Sequence, residues 1–196
     1  VSFVYDGEQI VADLDEDGNK LRTYVWGPGI DNLLSITIYT STPARTYYPI
    51  KDHLGSVLAL VDATNAVAES YAFDAWGRVL GVYDAQGVPQ TRSSVGNRYL
   101  WQGREYSWNS GLYHFRARAY DPVQGRWCSA DPIGIAGGLN LWAFCANSPV
   151  NARDPFGLCE RDPWYDELGD YFYKEWYTHF RDYPYEDIMV DPMWDG

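Results

Sequence analysis

Two aspartates head units of the same build, Asp131-Pro132-Ile133-Gly134 and Asp154-Pro155-Phe156-Gly157, and they are the residues of this chain best suited to chemistry. Two carboxylates brought together share one proton, because adjacent anions repel. The ionised member can then activate water, while the protonated one assists a carbonyl or a leaving amine of a nearby peptide bond. Arg118 stands upstream. An arginine there would hold one carboxylate ionised or stabilise a developing oxyanion. The same units have a plainer reading. Asp at the first, Pro at the second and Gly at the fourth position suit a type I turn, with the carboxylate capping backbone amides. The two readings are compatible, since a turn can also present a carboxylate.

Other reactive side chains are sparse. Cys128, Cys145 and Cys159 are an odd number without Cys-x-x-Cys spacing, and His53, His114 and His179 lie far apart. Neither a disulfide scaffold nor a metal site is expected, and no cofactor is implied. The net charge of −12 argues against nucleic-acid binding, which needs a basic footprint. No apolar run approaches a membrane span and no basic-then-apolar leader opens the chain. Beginning at Val1 without Met, the sequence reads as a segment of a longer protein.

The elements that must position these residues read as short strands. Aromatics make up 17% of the chain, with 9 Trp and 17 Tyr, and long Leu/Ala-rich periodic runs are missing, so a mainly β fold is expected. Residues 1–98 alternate turns with β-prone runs. Aromatic–Asp pairs recur at Tyr5-Asp6, Phe73-Asp74, Tyr83-Asp84 and Tyr120-Asp121, and Asp-x-x-Gly turns at Asp15–Gly18, Asp74–Gly77 and Asp84–Gly87. The runs are Ile10 to Ala12, Tyr24 to Trp26, Leu34 to Tyr39, Val57 to Val61 and Val79 to Tyr83. Such repeats bury an apolar face only by stacking on neighbours. Residues 99–158 change character: a strand hairpin turning near Ser110-Gly111, then a Gly/Asn/Pro-rich stretch with a short helix expected in Leu139 to Ala146. Residues 159–196 differ again, with 11 acidic and 3 basic residues and 11 aromatics. Asp162-Pro163 there begins a plausible helix carrying Leu168, Tyr171, Phe172, Trp176 and Phe180 on one face. The break at Leu158/Cys159 is the sharpest boundary.

From about residue 46 to 158 the sequence resembles the Rhs-associated core of the Rhs/YD-repeat proteins, a group including bacterial polymorphic toxins and C components of insecticidal toxin complexes. The resemblance rests on Asp52-His53-Leu54-Gly55-Ser56, Tyr71-Ala72-Phe73-Asp74-Ala75-Trp76-Gly77-Arg78, Arg116-Ala117-Arg118-Ala119-Tyr120-Asp121-Pro122, Gly137-Gly138-Leu139-Asn140-Leu141-Trp142-Ala143, Asn147-Ser148-Pro149 and Asp154-Pro155-Phe156-Gly157-Leu158, in that order. It implies a cocoon-like shell of YD-repeat strands, with residues 1–98 as a piece of wall and 99–158 as the core that closes one end. In cleaving members the chain is cut after the Leu of the final unit. Carried over, the scissile bond is Leu158–Cys159, the carboxylates are Asp131 and Asp154, and the supporting arginine is Arg118. The separations of 13 residues from Arg118 to Asp131 and 23 from Asp131 to Asp154 fit that pattern. Residues 159–196 would be the variable tail, the start of an effector or a truncated one. The implied partners are the rest of the shell, the chain's own C-terminal segment, and toxin-complex, secretion-system or immunity proteins. The implied location is secreted or on the surface of a bacterial cell.

Two other functions compete. A non-cleaving structural shell or cell-surface adhesion protein would use Asp131 and Asp154 only to form turns. A carbohydrate-binding module would account for the many Trp and Tyr, which core packing explains as well. Cys159 raises the thought of a thiol nucleophile, but no His lies near it in sequence. His53 has no evident catalytic partner and reads as structural.

Overall fold

Aspartate and glycine set the turns of this chain by one repeated device. The computed structural model describes residues 1–158. At Asp15, Asp52, Asp62, Asp74 and Asp84, Oδ1 accepts the amides two and four residues on, at 2.8–3.1 Å. The carbonyl of each aspartate accepts the amide three residues on. That fourth residue is Gly18, Gly55, Asn65, Gly77 or Gly87, each at positive φ, which glycine adopts without steric cost and asparagine tolerates.

Between the turns the chain runs as antiparallel strands. The first sheet holds β1 (Ser2–Asp6), β2 (Gln9–Leu14), β3 (Lys20–Trp26), β4 (Leu33–Ile38) and β5 (Arg45–Lys51). It continues through β6 (Val57–Val61), β7 (Val67–Phe73), β8 (Val79–Asp84) and β9 (Pro89–Gln90), with every strand paired to its neighbours in chain order. The second sheet is β10 (Glu105–Tyr106), β11 (Tyr113–Phe115), β12 (Arg118–Asp121) and β13 (Arg126–Trp127), again in chain order. The fold is mainly β, as expected, and the hairpin expected near Ser110-Gly111 is the β10–β11 pair.

The helix expected in Leu139 to Ala146 does not form. The segment is tied along the edge of the second sheet instead: the Trp127 amide donates to the Trp142 carbonyl, and Arg126 and Ala143 form an isolated bridge. Only short 3-10 turns occur, at Gly134–Gly137 before it and at Cys145–Asn147 overlapping its end. Gly137, Gly138 and Asn140 offer little helical propensity to oppose these bonds. The tail helix begun at Asp162-Pro163, like Cys159 itself, lies outside the described residues.

One core serves both sheets. Ile10, Tyr24, Leu33, Ile36, Val57, Leu60 and Val82 from the first pack in the same cluster as Trp101, Tyr113, Phe115, Tyr120, Trp127 and Phe144. Trp101 bridges the two, stacked on Tyr120 at 5.5 Å and tilted against Phe144 at 5.2 Å. Gly77 makes room for it, since a Cβ there would sit 2.4 Å from the indole. The Tyr113 and Tyr120 hydroxyls donate to the Gly77 and Trp76 carbonyls, so the second sheet clasps a turn of the first. Each such buried aromatic contributes roughly 1.5–3 kcal/mol through lost apolar exposure.

Candidate functional site

Arg118 opens β12, and the packing of the second sheet fixes its side chain. Its guanidinium carbon lies 4.1 Å from the ring centroid of Trp127 on β13. A guanidinium over an indole face is held by electrostatic attraction to the ring as well as by packing. The residue is 4% exposed, so its donors must find acceptors within the protein.

They find four. Nη2 lies 2.8 Å from Oδ2 of Asp131 and 3.3 Å from Oδ2 of Asp154. Nη1 donates to the Leu141 carbonyl at 3.2 Å. Nε donates to the carbonyl of Gly157. A single nitrogen thus bridges two aspartates that are 23 residues apart in sequence and 8% and 2% exposed. Arg118, Asp131 and Asp154, singled out in the sequence, are together in space.

Each aspartate divides its oxygens between two tasks. Oδ1 of Asp131 accepts the Ile133 amide at 3.0 Å, and its carbonyl accepts the Gly134 amide at 3.0 Å. Oδ1 of Asp154 accepts the Leu158 amide at 3.0 Å, and its carbonyl accepts the Gly157 amide at 3.2 Å. Each thus makes one of the two Oδ1 bonds of the turn device described above, together with its carbonyl bond. Oδ2 is left over in both, and both point to Arg118. A turn needs one oxygen; the second oxygens and the buried arginine are additional.

Leu158, the residue before the expected cut, is buried beside this cluster at 7% exposure. A Cβ built on Gly137 would meet Oδ2 of Asp131 at 2.6 Å and the Leu158 carbonyl oxygen at 2.9 Å. The carboxylate and that carbonyl therefore flank one point, which only a glycine leaves open. A cavity of about 310 Å³ adjoins it, lined by Arg118, Asp131, Asp154 and residues of the 137–147 segment. Its rim includes Cys145, Ala146 and Asn147, three successive non-glycine residues at positive φ. Such conformations are costly and persist only where packing dictates them. Buried Phe144 supplies that packing.

Burial raises the Asp131 carboxyl above the usual aspartate range, against the opposing pull of the Ile133 amide and the Arg118 charge. Burial lowers the pKa of Arg118, with Asp154 and Asp131 opposing. The site thus holds one carboxyl biased toward keeping its proton, beside a cation and a second carboxylate. Two carboxyl groups in unlike surroundings are able to divide acid and base tasks.

Gly137, Trp127 and the Leu141 carbonyl were given no part in the site by sequence. Gly137-Gly138 is conspicuous as a pair, but its closeness to Asp131 appears only once β13 and the 137–147 segment are folded. The remaining residues weighed earlier take quieter places. His53 Nε2 sits 3.1 Å from the Val150 carbonyl, Cys128 is exposed and Cys145 is buried. Among the described residues no group of three His, Cys, Asp or Glu is arranged to hold a metal.

No protein-family model matches the chain. Curated relatives do. The tRNA3(Ser)-specific nuclease WapA of Bacillus spizizenii is 30% identical over 162 residues, covering 80% of this chain and 6% of that protein. The double-stranded DNA deaminase toxin A of Burkholderia cenocepacia is 30% identical over 170 residues, covering 80% of this chain and 11% of that protein. The chain spans less than half the length of these and the other leading curated relatives. Among solved structures, the TcdB2-TccC3-TEV crystal structure superposes with a TM-score of 0.56 at 20% identity, over 74% of this chain and 7% of that one. This last likeness is one of fold.

Proposed function

The chain belongs to the Rhs/YD-repeat family as a toxin-related Rhs-associated core, and from that premise we propose that it severs its own C-terminal segment by intramolecular aspartic proteolysis between Leu158 and Cys159. The observation that carries the reading is the bridge: one nitrogen of Arg118 holds both carboxylates while the same side chain grips the Gly157 carbonyl, one residue before the bond.

On this reading each group has its own task. Asp154, ionised, takes a proton from water as the water oxygen bonds to the Leu158 carbonyl carbon. Asp131, in its protonated form, which burial favours, donates to the Leu158 carbonyl oxygen that flanks Gly137 with it. The resulting tetrahedral carbon collapses: one hydroxyl returns a proton to Asp131, the carbon–nitrogen bond breaks, and the Cys159 nitrogen takes the proton held by Asp154 and leaves as an amine, restoring both carboxyl groups to their starting states. Arg118 holds the two carboxyl groups in register throughout. One turnover in cis suffices.

The relatives are named for unlike activities, tRNA cleavage and DNA deamination, yet share this segment. That supports a module whose work is independent of the effector it carries. On this reading residues 159–196 begin the effector, the remaining shell and toxin-complex or secretion-system proteins are partners, and the protein acts outside the cell or at its surface. Among the described residues no helix is long and apolar enough to cross a membrane. The competing reading is a non-cleaving shell, and the turn bonds of both aspartates favour it. Those bonds leave the two Oδ2 atoms and the buried Arg118 unexplained. The test is N-terminal sequencing of any fragment formed by the full natural protein at neutral pH. A fragment beginning at Cys159 supports the proposal; a chain that stays whole, or starts elsewhere, favours the shell.

A further inference from the structure

Three consecutive residues grasp three consecutive carbonyls just before the proposed cut. Arg116 Nη1 donates to the Pro155 carbonyl at 2.5 Å, the Ala117 amide donates to the Phe156 carbonyl at 3.1 Å, and Arg118 Nε donates to the Gly157 carbonyl. The next carbonyl in the series is that of Leu158, which lies beside Asp131. Gly157 fits closely against the same strip, since a Cβ on it would meet the Phe115 carbonyl oxygen at 2.6 Å.

Arg116 does not reach Pro155 by chance. Its backbone is left-handed at φ 53, which turns its side chain away from the alternation of β11 and β12. Its guanidinium is stapled to Asp31, with Nη2 to Oδ1 at 2.8 Å and Nη1 to Oδ2 at 3.2 Å. Its Nε pairs with Glu8 at 3.0 Å, and its carbon lies 5.2 Å from the Phe156 ring centroid. Asp31 is itself buried, left-handed at φ 57, and held by Arg104 at 2.7 Å. Elements of the wall-like first sheet thereby reach the segment before the cut through a fixed ion-pair network.

We propose that Arg116, buttressed by Asp31, is a positioning residue that sets the register of self-cleavage. With the Pro155, Phe156 and Gly157 carbonyls taken in order by residues 116–118, the Leu158 carbonyl is the first one left for Asp131 to address. Slippage by one residue would require all three bonds to break together. The inference rests on the cleavage reading above and adds to it the means by which one bond is chosen. Arg116 touches neither reacting atoms nor either catalytic carboxylate in this scheme; it acts through the position of the backbone.

The experiment compares the full natural protein with its Arg116→Gln and Arg116→Lys variants, reading both cutting rate and cut position by intact mass at neutral pH. Hydrogen exchange across β2 to β8 reports whether each variant is folded. In Arg116→Gln the clamp loses its charge and fork, and cutting slows on the order of 10- to 100-fold, with part of the product cut at a bond next to Leu158–Cys159. Arg116→Lys, which keeps a cation beside Asp31 and one donor for Pro155, falls between the two and supplies the answer if Arg116→Gln does not fold. A folded variant of either kind that cuts solely after Leu158 at the wild-type rate overturns the clamp and leaves the cleavage reading intact. A wild-type protein that never cuts overturns both.

Discussion

At the scale of single residues, each aspartate is asked for two things, and asparagine can supply only one. An asparagine side chain can cap the turn through its oxygen, but it cannot exchange a proton at the other position. Gly137 is a sharper probe, because it takes no part in acid–base chemistry. Gly137→Ala places a methyl where Asp131 and the Leu158 carbonyl meet, so one or both must shift, although its φ is not in the left-handed region. Cutting should slow by about tenfold or more in protein that hydrogen exchange shows to be folded; an unchanged rate would mean that Asp131 and Leu158 need no such approach. The raised pKa of Asp131 gives a second prediction. As the proton donor, Asp131 works in its protonated form, so the rate constant should fall as pH rises through its folded pKa. A rate that climbs steadily across that range would exclude Asp131 from this role. Acid-side samples need an inactive-variant control, since acid breaks Asp154–Pro155 without any enzyme.

At the scale of elements, ion pairs join the two sheets and locate the site. Burial alone would raise the pKa of Asp31, but Arg104 and Arg116 outweigh it and the carboxyl sits below the usual range. Its stabilising contribution is therefore present above the unfolded-state pKa and lost as pH falls through the folded one. Asp31→Asn should cost about 3 kcal/mol in urea unfolding at neutral pH, with the deficit shrinking on acidification. Equal stability would show that Arg104 and Arg116 are satisfied without it. The turns were legible in sequence because Asp-x-x-Gly chemistry is local: the same few atoms make the bonds wherever the motif occurs. β7 was not picked out, as its central Glu69 looks like a surface residue. That carboxylate is buried because the Tyr71 hydroxyl and the Ser94 amide and hydroxyl, the last two 25 residues away, surround it. The helix expected in Leu139 to Ala146 failed for a like reason, since its competitor was the edge of a sheet formed by distant strands.

At the scale of the whole molecule, residues 1–98 and 99–158 read as separate segments, yet their side chains share one core. Phe144 belongs to it, fully buried, with ring centroids of Tyr120, Trp101 and Trp127 within 4.5–5.2 Å. Phe144→Ala should cost about 3–5 kcal/mol and lower the unfolding midpoint of both sheets together, as followed by hydrogen exchange. Separate transitions would show that the second sheet is merely appended. The pairing of Asp131 with Asp154 was legible as a shared motif and through family resemblance, but not from spacing alone. The 22 residues between them close into a site because β12 and β13 hold Arg118 over Trp127. The central claim is that these two carboxylates cut the chain that carries them. Its most direct test is the intact mass of the full natural protein beside its Asp131→Asn and Asp154→Asn variants, all folded and kept near neutral pH. Wild type divided between Leu158 and Cys159, with both variants whole, is the predicted result. Wild type whole, or either variant cut like wild type, would contradict it.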